Sequence, residues 1–335
     1  MARTRERADN RSIAAGAVTT LSRRESAALI AKTLLKDPAA LIKFWIMMPG
    51  EERYVLPARS YELPAFRDDM RHCTSNEKYL RPTLYCNPCE PIVIAMANEL
   101  GAYDIPDFEF AEAAYEFITH NMMLAVTPFD EVGTTLERGT GSCWNLMNVF
   151  IALCRAAGIK ARYGGVKRAM TEEDQKAMSS VEPFFARIYV AMSDIFGLGE
   201  ACIDGVWMSA DLVASPEMQA IRGLPIKKFG EALLASETVD DPAHEWHSES
   251  MPRFAARGMM MMKWLAPAMN ERLNVGILRQ YALGTQIIEE AGGIEAYDRN
   301  ARTKKKLLSG EPVAKEIMRL TKEAERKKVL VFEAY

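Results

Sequence analysis

The stretch Gly139-Thr140-Gly141-Ser142-Cys143-Trp144-Asn145-Leu146-Met147-Asn148-Val149-Phe150-Ile151-Ala152-Leu153-Cys154-Arg155-Ala156-Ala157-Gly158 decides the fold. Cys143, Leu146, Met147, Phe150, Leu153, Cys154 and Ala157 recur at i, i+3, i+4 and i+7 spacing. This predicts a helix over 143–157 with one strongly apolar face. Ser142 suits the N-cap and Gly158 the C-cap. Gly139 and Gly141 let the backbone turn sharply and come close to a ligand just ahead of the helix. Cys143 then falls in the first turn, near the positive end of the macrodipole, where a thiol pKa drops and the nucleophilic thiolate is favoured. Free N–H groups at such a terminus can also serve as an oxyanion hole. The competing reading is that a lone cysteine on an apolar helix face is usually core.

Working outward, strands are predicted at 160–167, 184–192 and 201–211, with Gly197 and Gly199 marking the turn between the last two. Upstream, 91–100 and 108–122 read as helices, the second placing Phe110, Ala113, Ala114, Phe117 and Ile118 on one face. Residues 127–142 read as an irregular approach, and 51–90, dotted with Pro57, Pro64, Pro82 and Pro88, as loop. Residues 25–48 read as a helix broken at Asp37-Pro38, 225–236 as a helix, and 253–328 as helices broken at Pro267, Gly292-Gly293 and Gly310. Helices, then helix and strands, then helices again make an α+β fold, an antiparallel sheet against a central helix. Four segments follow: a flexible basic tail over 1–24, a helical and loop extension over 25–89, a core over 90–235, and a polar loop with a helical extension over 236–335.

The run from Gly141-Ser142-Cys143 through the helix to Leu153-Cys154-Arg155-Ala156-Ala157-Gly158-Ile159-Lys160-Ala161-Arg162-Tyr163-Gly164-Gly165 resembles the core of the transglutaminase-like superfamily. Cys89-Glu90-Pro91 to Glu99-Leu100, and Trp207 followed four residues later by Asp211, are similar to it as well. The resemblance spans about residues 90–215. It implies a papain-like α+β core and a Cys–His–Asp triad, with Cys143 as nucleophile and Asp211 as the orienting acid. It also implies acyl transfer or amide hydrolysis through a thioester, on a peptide or small-molecule substrate. The family's histidine lies on the strand before the acid, and Phe185 of Phe185-Ala186-Arg187 stands at the matching place here. The chain has four histidines in all, and none falls between 121 and 243.

General-base assistance is worth about 10²–10⁴-fold in rate, so this departure weighs heavily. Either the chain is a catalytically silent relative that binds a ligand or partner in the former cleft, or a substitute base acts. His244 and His247, in a polar loop that could fold over the cleft, are the candidates. Without an imidazole, Asp211 needs another partner, for which Arg187 is the candidate. Gly141, Ser142, Trp144, Phe185, Arg187 and Trp207 are the expected binding residues, with Trp144 and Phe185 giving an aromatic-lined pocket.

His72, Cys73, Cys86 and Cys89 form a second cluster. One CxxC with a Cys/His pair could hold a structural zinc, although adjacent residues rarely ligate one ion together. Plain thiols are the simpler reading, no other cofactor is expected, and Cys154 and Cys202 read as core. Six cysteines in 335 residues are no disulfide framework, which points to a reducing, cytoplasmic setting. Net charge is -3, from 42 basic and 45 acidic residues, so no nucleic-acid partner is expected. No apolar run is long enough for a membrane span, and no secretory leader is seen. Met259–Met262 with Trp264 could be the contact surface of a homo-oligomer.

Overall fold

The computed structural model describes residues 35, 56–127, 129–166, 196–231, 246–252 and 267–305. The expectations for the tail over 1–24, the strand over 184–192, and Phe185, Arg187, His244 and Met259–Met262 lie outside them.

The sheet has four strands in the order β5-β4-β3-β6, all antiparallel: β3 (Ala161–Val166), β4 (Phe196–Ile203), β5 (Val206–Ala210) and β6 (Trp246–Ser248). Against one face lies the central helix α4 (Cys143–Ala156), which fulfils the periodicity reading. Ahead of it come α1 (Pro91–Glu99), α2 (Asp107–Asn121) and a short helix α3 (Val132–Arg138). Two short strands, β1 (Met123–Leu124) and β2 (Thr140–Gly141), pair in parallel just before α4. The sequence reading placed only irregular chain over 127–142 and missed α3 and β2, which are too short to show a period. Beyond the sheet lie α5 (Pro216–Ala220), α6 (Pro267–Glu290) and α7 (Ile294–Lys305), with α6 opening at the predicted Pro267 and Gly292-Gly293 separating the last two. The molecule is α+β, as expected. Among the described residues no helix is long and apolar enough to cross a membrane.

The strand reading over 201–211 requires correction. The turn lies at Asp204-Gly205, where both residues have positive φ (52° and 83°), and β4 and β5 form a two-residue hairpin around it. Gly197 and Gly199 do not turn; both lie inside β4. A Cβ on Gly197 would stand 2.6 Å from the Met147 methyl carbon and 3.0 Å from the Trp144 ring, and one on Gly199 2.8 Å from Phe150. These glycines let α4 settle directly on the strand backbone. The result is a dry core in which Met147, Phe150, Ile151 and Cys154 meet Tyr163, Ala201 and Met208.

The far end of α4 is fastened by Arg155, which is fully buried. Its guanidinium donates to the carbonyls of Ala161, Arg81 and Glu249, so one side chain joins the helix to β3, the preceding loop and the end of β6. The helix predicted at 225–236 is absent over 224–228. There the backbone of Ile226 is bonded to side chains of α7 rather than to helical neighbours.

Gly199→Val should lower stability by about 1–3 kcal/mol, since Phe150 and Leu212 leave no room for a branched side chain. Urea denaturation measures this; an unchanged midpoint would mean that α4 does not press on β4 as described.

Candidate functional site

The approach to α4 is built by side-chain capping. Ser142 has extended backbone, and its Oγ accepts the N–H of Asn145 at 3.4 Å. Asn145 Oδ1 in turn accepts from the Ser142 N–H at 3.2 Å and from the Ser142 hydroxyl at 2.5 Å, which completes a capping box. The two glycines serve packing. Gly139 takes positive φ to cap α3 and lies on the backbone of Arg59, while Gly141 presses on Asn145. A side chain at either position would collide with Arg59 or Asn145, so the close backbone approach that glycine permits is used inside the protein.

Cys143 follows the cap as predicted and is partly exposed, packed on the rim of the core. Burial pushes its thiol up to about 11, against the backbone N–H groups of Cys143 and Trp144, which point at the sulfur and lower it; the charge of Asp211 adds to the rise. The expectation of a lowered thiol therefore fails. The helix end is aimed as the sequence implied, but desolvation outweighs it.

Asp211 immediately follows β5 and is buried within electrostatic reach of Cys143, so the two candidate residues are brought together. Among the described residues Asp211 is paired with Lys227, whose Nζ donates to Oδ2 at 2.9 Å with both side chains nearly buried. Sequence reasoning missed Lys227 because it placed the residue in a helix over 225–236 that does not form at 224–228. It also missed Trp246, which stacks on Trp144 with ring centroids 6.2 Å apart and lies flat on Gly165. The two indoles meet at the first turn of α4, where Trp144 is next in sequence to Cys143.

The remaining candidates lie elsewhere. The strand hydrogen-bonded to β5 is β4, so the strand before the acid is 196–203 rather than 184–192; it opens with Phe196 and holds no histidine. Trp246 joins the core under α4, so its neighbour His247 points to the opposite face of the sheet. There the His247 Nδ1 lies 3.0 Å from Glu200 Oε2, and Arg162 Nε donates to the same carboxylate at 2.6 Å. Trp207 is on that face too, under the Arg162 guanidinium at 3.9 Å. His247 sits at the β6 edge and Asp211 beyond the β5 edge, three strand spacings or about 14 Å apart. With the sheet between them, His247 is no base for Cys143, and Trp207 lines no cleft around it; the sequence reading placed Trp207 on a strand and His247 in a loop and told the face of neither.

The 72–89 cluster divides. Cys86 is in the core with Sγ 3.8 Å from the Asn148 carbonyl, Cys89 is exposed, Cys73 is partly buried, and the His72 ring faces the Met70 carbonyl. Among the described residues no group of three or more His, Cys, Asp or Glu side chains is arranged to hold a metal ion.

Glu200 is held below its ordinary value: burial opposes this, but the hydrogen bonds and charges of His247 and Arg162 prevail. A carboxyl depressed in the folded state contributes stability above its unfolded value, near 4.5, and that contribution is lost as pH falls through the folded pKa. Glu200→Gln should cost about 3 kcal/mol at pH 7. It should also flatten the acid side of the stability profile, read by urea melts from pH 3 to 7; a wild-type slope in the variant would count against this network.

The model of the Transglutaminase-like superfamily matches residues 94–212, the segment from α1 through Asp211. A search of the curated proteins finds no match. A provisionally named cysteine protease from Cytophaga hutchinsonii, known from a crystal structure, is similar at 20% identity with a TM-score of 0.31, over 51% of this chain and 52% of its own. The chain thus spans about half of that protein's length.

Proposed function

Taking residues 94–212 as a transglutaminase-like core, we propose that the chain binds a ligand or partner in the former active-site cleft and no longer runs a Cys–His–Asp relay. The observation that carries this reading is the ammonium of Lys227 on Asp211 at 2.9 Å. In a triad that carboxylate would orient an imidazole and stabilise its charged form. Here that carboxylate is paired with the Lys227 side chain instead of an imidazole. The raised thiol and the absence of histidine from β4 agree with this.

The cleft retains the means to bind. Backbone N–H groups of Cys143 and Trp144 converge on one point at the head of α4, the stacked Trp144 and Trp246 give an apolar wall, and Asp211 with Lys227 gives a polar floor. A peptide or small amide suits this set, with its carbonyl oxygen at the helix terminus and its apolar portion against the indoles. The near-neutral charge of the chain accords with a partner other than nucleic acid. Its free cysteines accord with a reducing compartment.

The second reading is acyl transfer or amide hydrolysis, and the converging N–H groups favour it, because they would also receive an oxyanion. The two readings differ in what Cys143 does. With its thiol near 11, about a hundredfold less thiolate is present at pH 8 than for an ordinary thiol of pKa 9. Iodoacetamide should therefore label Cys143 roughly a hundredfold more slowly than a model thiol, read by peptide mass spectrometry. Asp211→Asn should accelerate labelling several-fold, because the carboxylate raises the thiol. A Cys143 that labels rapidly well below pH 8.5, and slows when Asp211 is replaced, would overturn the binding reading in favour of catalysis.

A further inference from the structure

Lys227 lies in irregular chain, where a long flexible side chain has many alternatives to one buried carboxylate. What fixes it comes from the opposite end of the sequence. Ile226, the residue before it, is gripped on both sides of its backbone by α7. Its N–H donates to Asp298 Oδ1 at 2.8 Å, and its carbonyl accepts from Arg302 Nη2 at 2.5 Å. Arg302 donates through Nε to both oxygens of Asp298, at 3.0 and 2.8 Å. Its other nitrogens reach Glu231, Nη1 to Oε1 at 2.8 Å and Nη2 to Oε2 at 3.1 Å. Glu231 closes the loop by accepting the Lys228 N–H at 2.7 Å. Residues 226 and 228, which flank Lys227, are thus both tied to one buried guanidinium and its two carboxylates. Only a planar, many-donor cation can hold two carboxylates and a carbonyl at once.

We propose that Arg302 is a positioning residue for the cleft: through Ile226 it holds Lys227 on Asp211 and so sets the charge that Cys143 faces. The proposal rests on the reading of Lys227 as the occupant of the former triad acid, and it concerns the charge of the cleft rather than turnover. Among the described residues, the titratable groups facing Asp211 are Lys227, Cys143 of α4 and Tyr115 of α2. Tyr115 also faces Glu231 and Glu116, and Glu116 pairs with Lys228 at 3.5 Å. Helix α7 then acts on the site through its hold on Ile226.

The test is a double-mutant cycle on the full-length protein, with iodoacetamide labelling of Cys143 followed across pH 7 to 11 by peptide mass spectrometry. K227M leaves the Asp211 charge unopposed and should slow labelling about tenfold at fixed pH, shifting the profile to higher pH. R302M should shift it the same way by about three- to tenfold, and should add nothing in the K227M background. Near-UV circular dichroism checks that each variant keeps its packing. Should R302M fail to fold, D298N takes its place under the same criteria, since it keeps an acceptor for the Ile226 N–H but removes one charge from Arg302. A folded Arg302 or Asp298 variant with a wild-type profile would overturn the proposal. So would an equal slowing with and without Lys227, which would mean that the effect bypasses the lysine. The binding reading is judged separately, on wild-type reactivity alone: rapid labelling well below pH 8.5 defeats it, while the cycle still reports whether Arg302 acts through Lys227.

Discussion

Everything in the cleft depends on how closely α4 lies on the sheet. Two glycines of β4 remove the side chains that would otherwise hold the helix away: Met147 and Trp144 fill the space over Gly197 and Phe150 that over Gly199, while Gly165 of β3 makes room for Trp246 of β6. With the helix seated on backbone, its first turn is brought near the end of β5, and Cys143 comes within electrostatic reach of Asp211. Arg155 secures the other end by holding three carbonyls from three separate parts of the chain. Glycine contact under one end of the helix and the buried guanidinium at the other together define the helix position, and with it the position of the sulfur.

The sheet also separates two kinds of chemistry. The face under α4 carries Tyr163, Ala201, Met208 and the indole of Trp246, and the thiol stands at its edge. The opposite face carries a charged row in which Trp207 supports Arg162, Arg162 binds Glu200, and Glu200 binds His247. A histidine expected to fold over the cysteine therefore stands on the other side of the sheet from it. Strand geometry makes the distinction absolute, because neighbouring residues such as Trp246 and His247 must point to opposite sides.

How far the sequence disclosed this can be judged residue by residue. The central helix was legible because its apolar positions keep one period from Cys143 to Ala157 and because Ser142 and Gly158 close it with recognisable caps. Asp211 was legible as the residue that ends a strand. Glycine was ambiguous: Gly197 and Gly199 suggested a turn, yet the turn is Asp204-Gly205, and only the partner helix reveals that the other two are contact points. The thiol was misjudged because the helix terminus is a local property whereas desolvation belongs to the whole fold. Lys227 was invisible, since its place is fixed by Arg302 and Asp298, some seventy positions further along, and no local pattern encodes such a pairing.

The same long-range ties bear on how the molecule is made. Glu249 accepts the N–H of Tyr79 and so joins residues 170 positions apart, in the same corner where Arg155 holds the Glu249 carbonyl. Such contacts give a chain a high contact order, and closing loops of that length slows folding. During synthesis from the N-terminus, α4 and most of the sheet emerge well before β6 and α7. A ribosome-bound intermediate would thus carry Cys143 on a helix whose cleft has neither its Trp246 wall nor its Lys227 clamp. The thiol reaches its final surroundings only once α7 has docked.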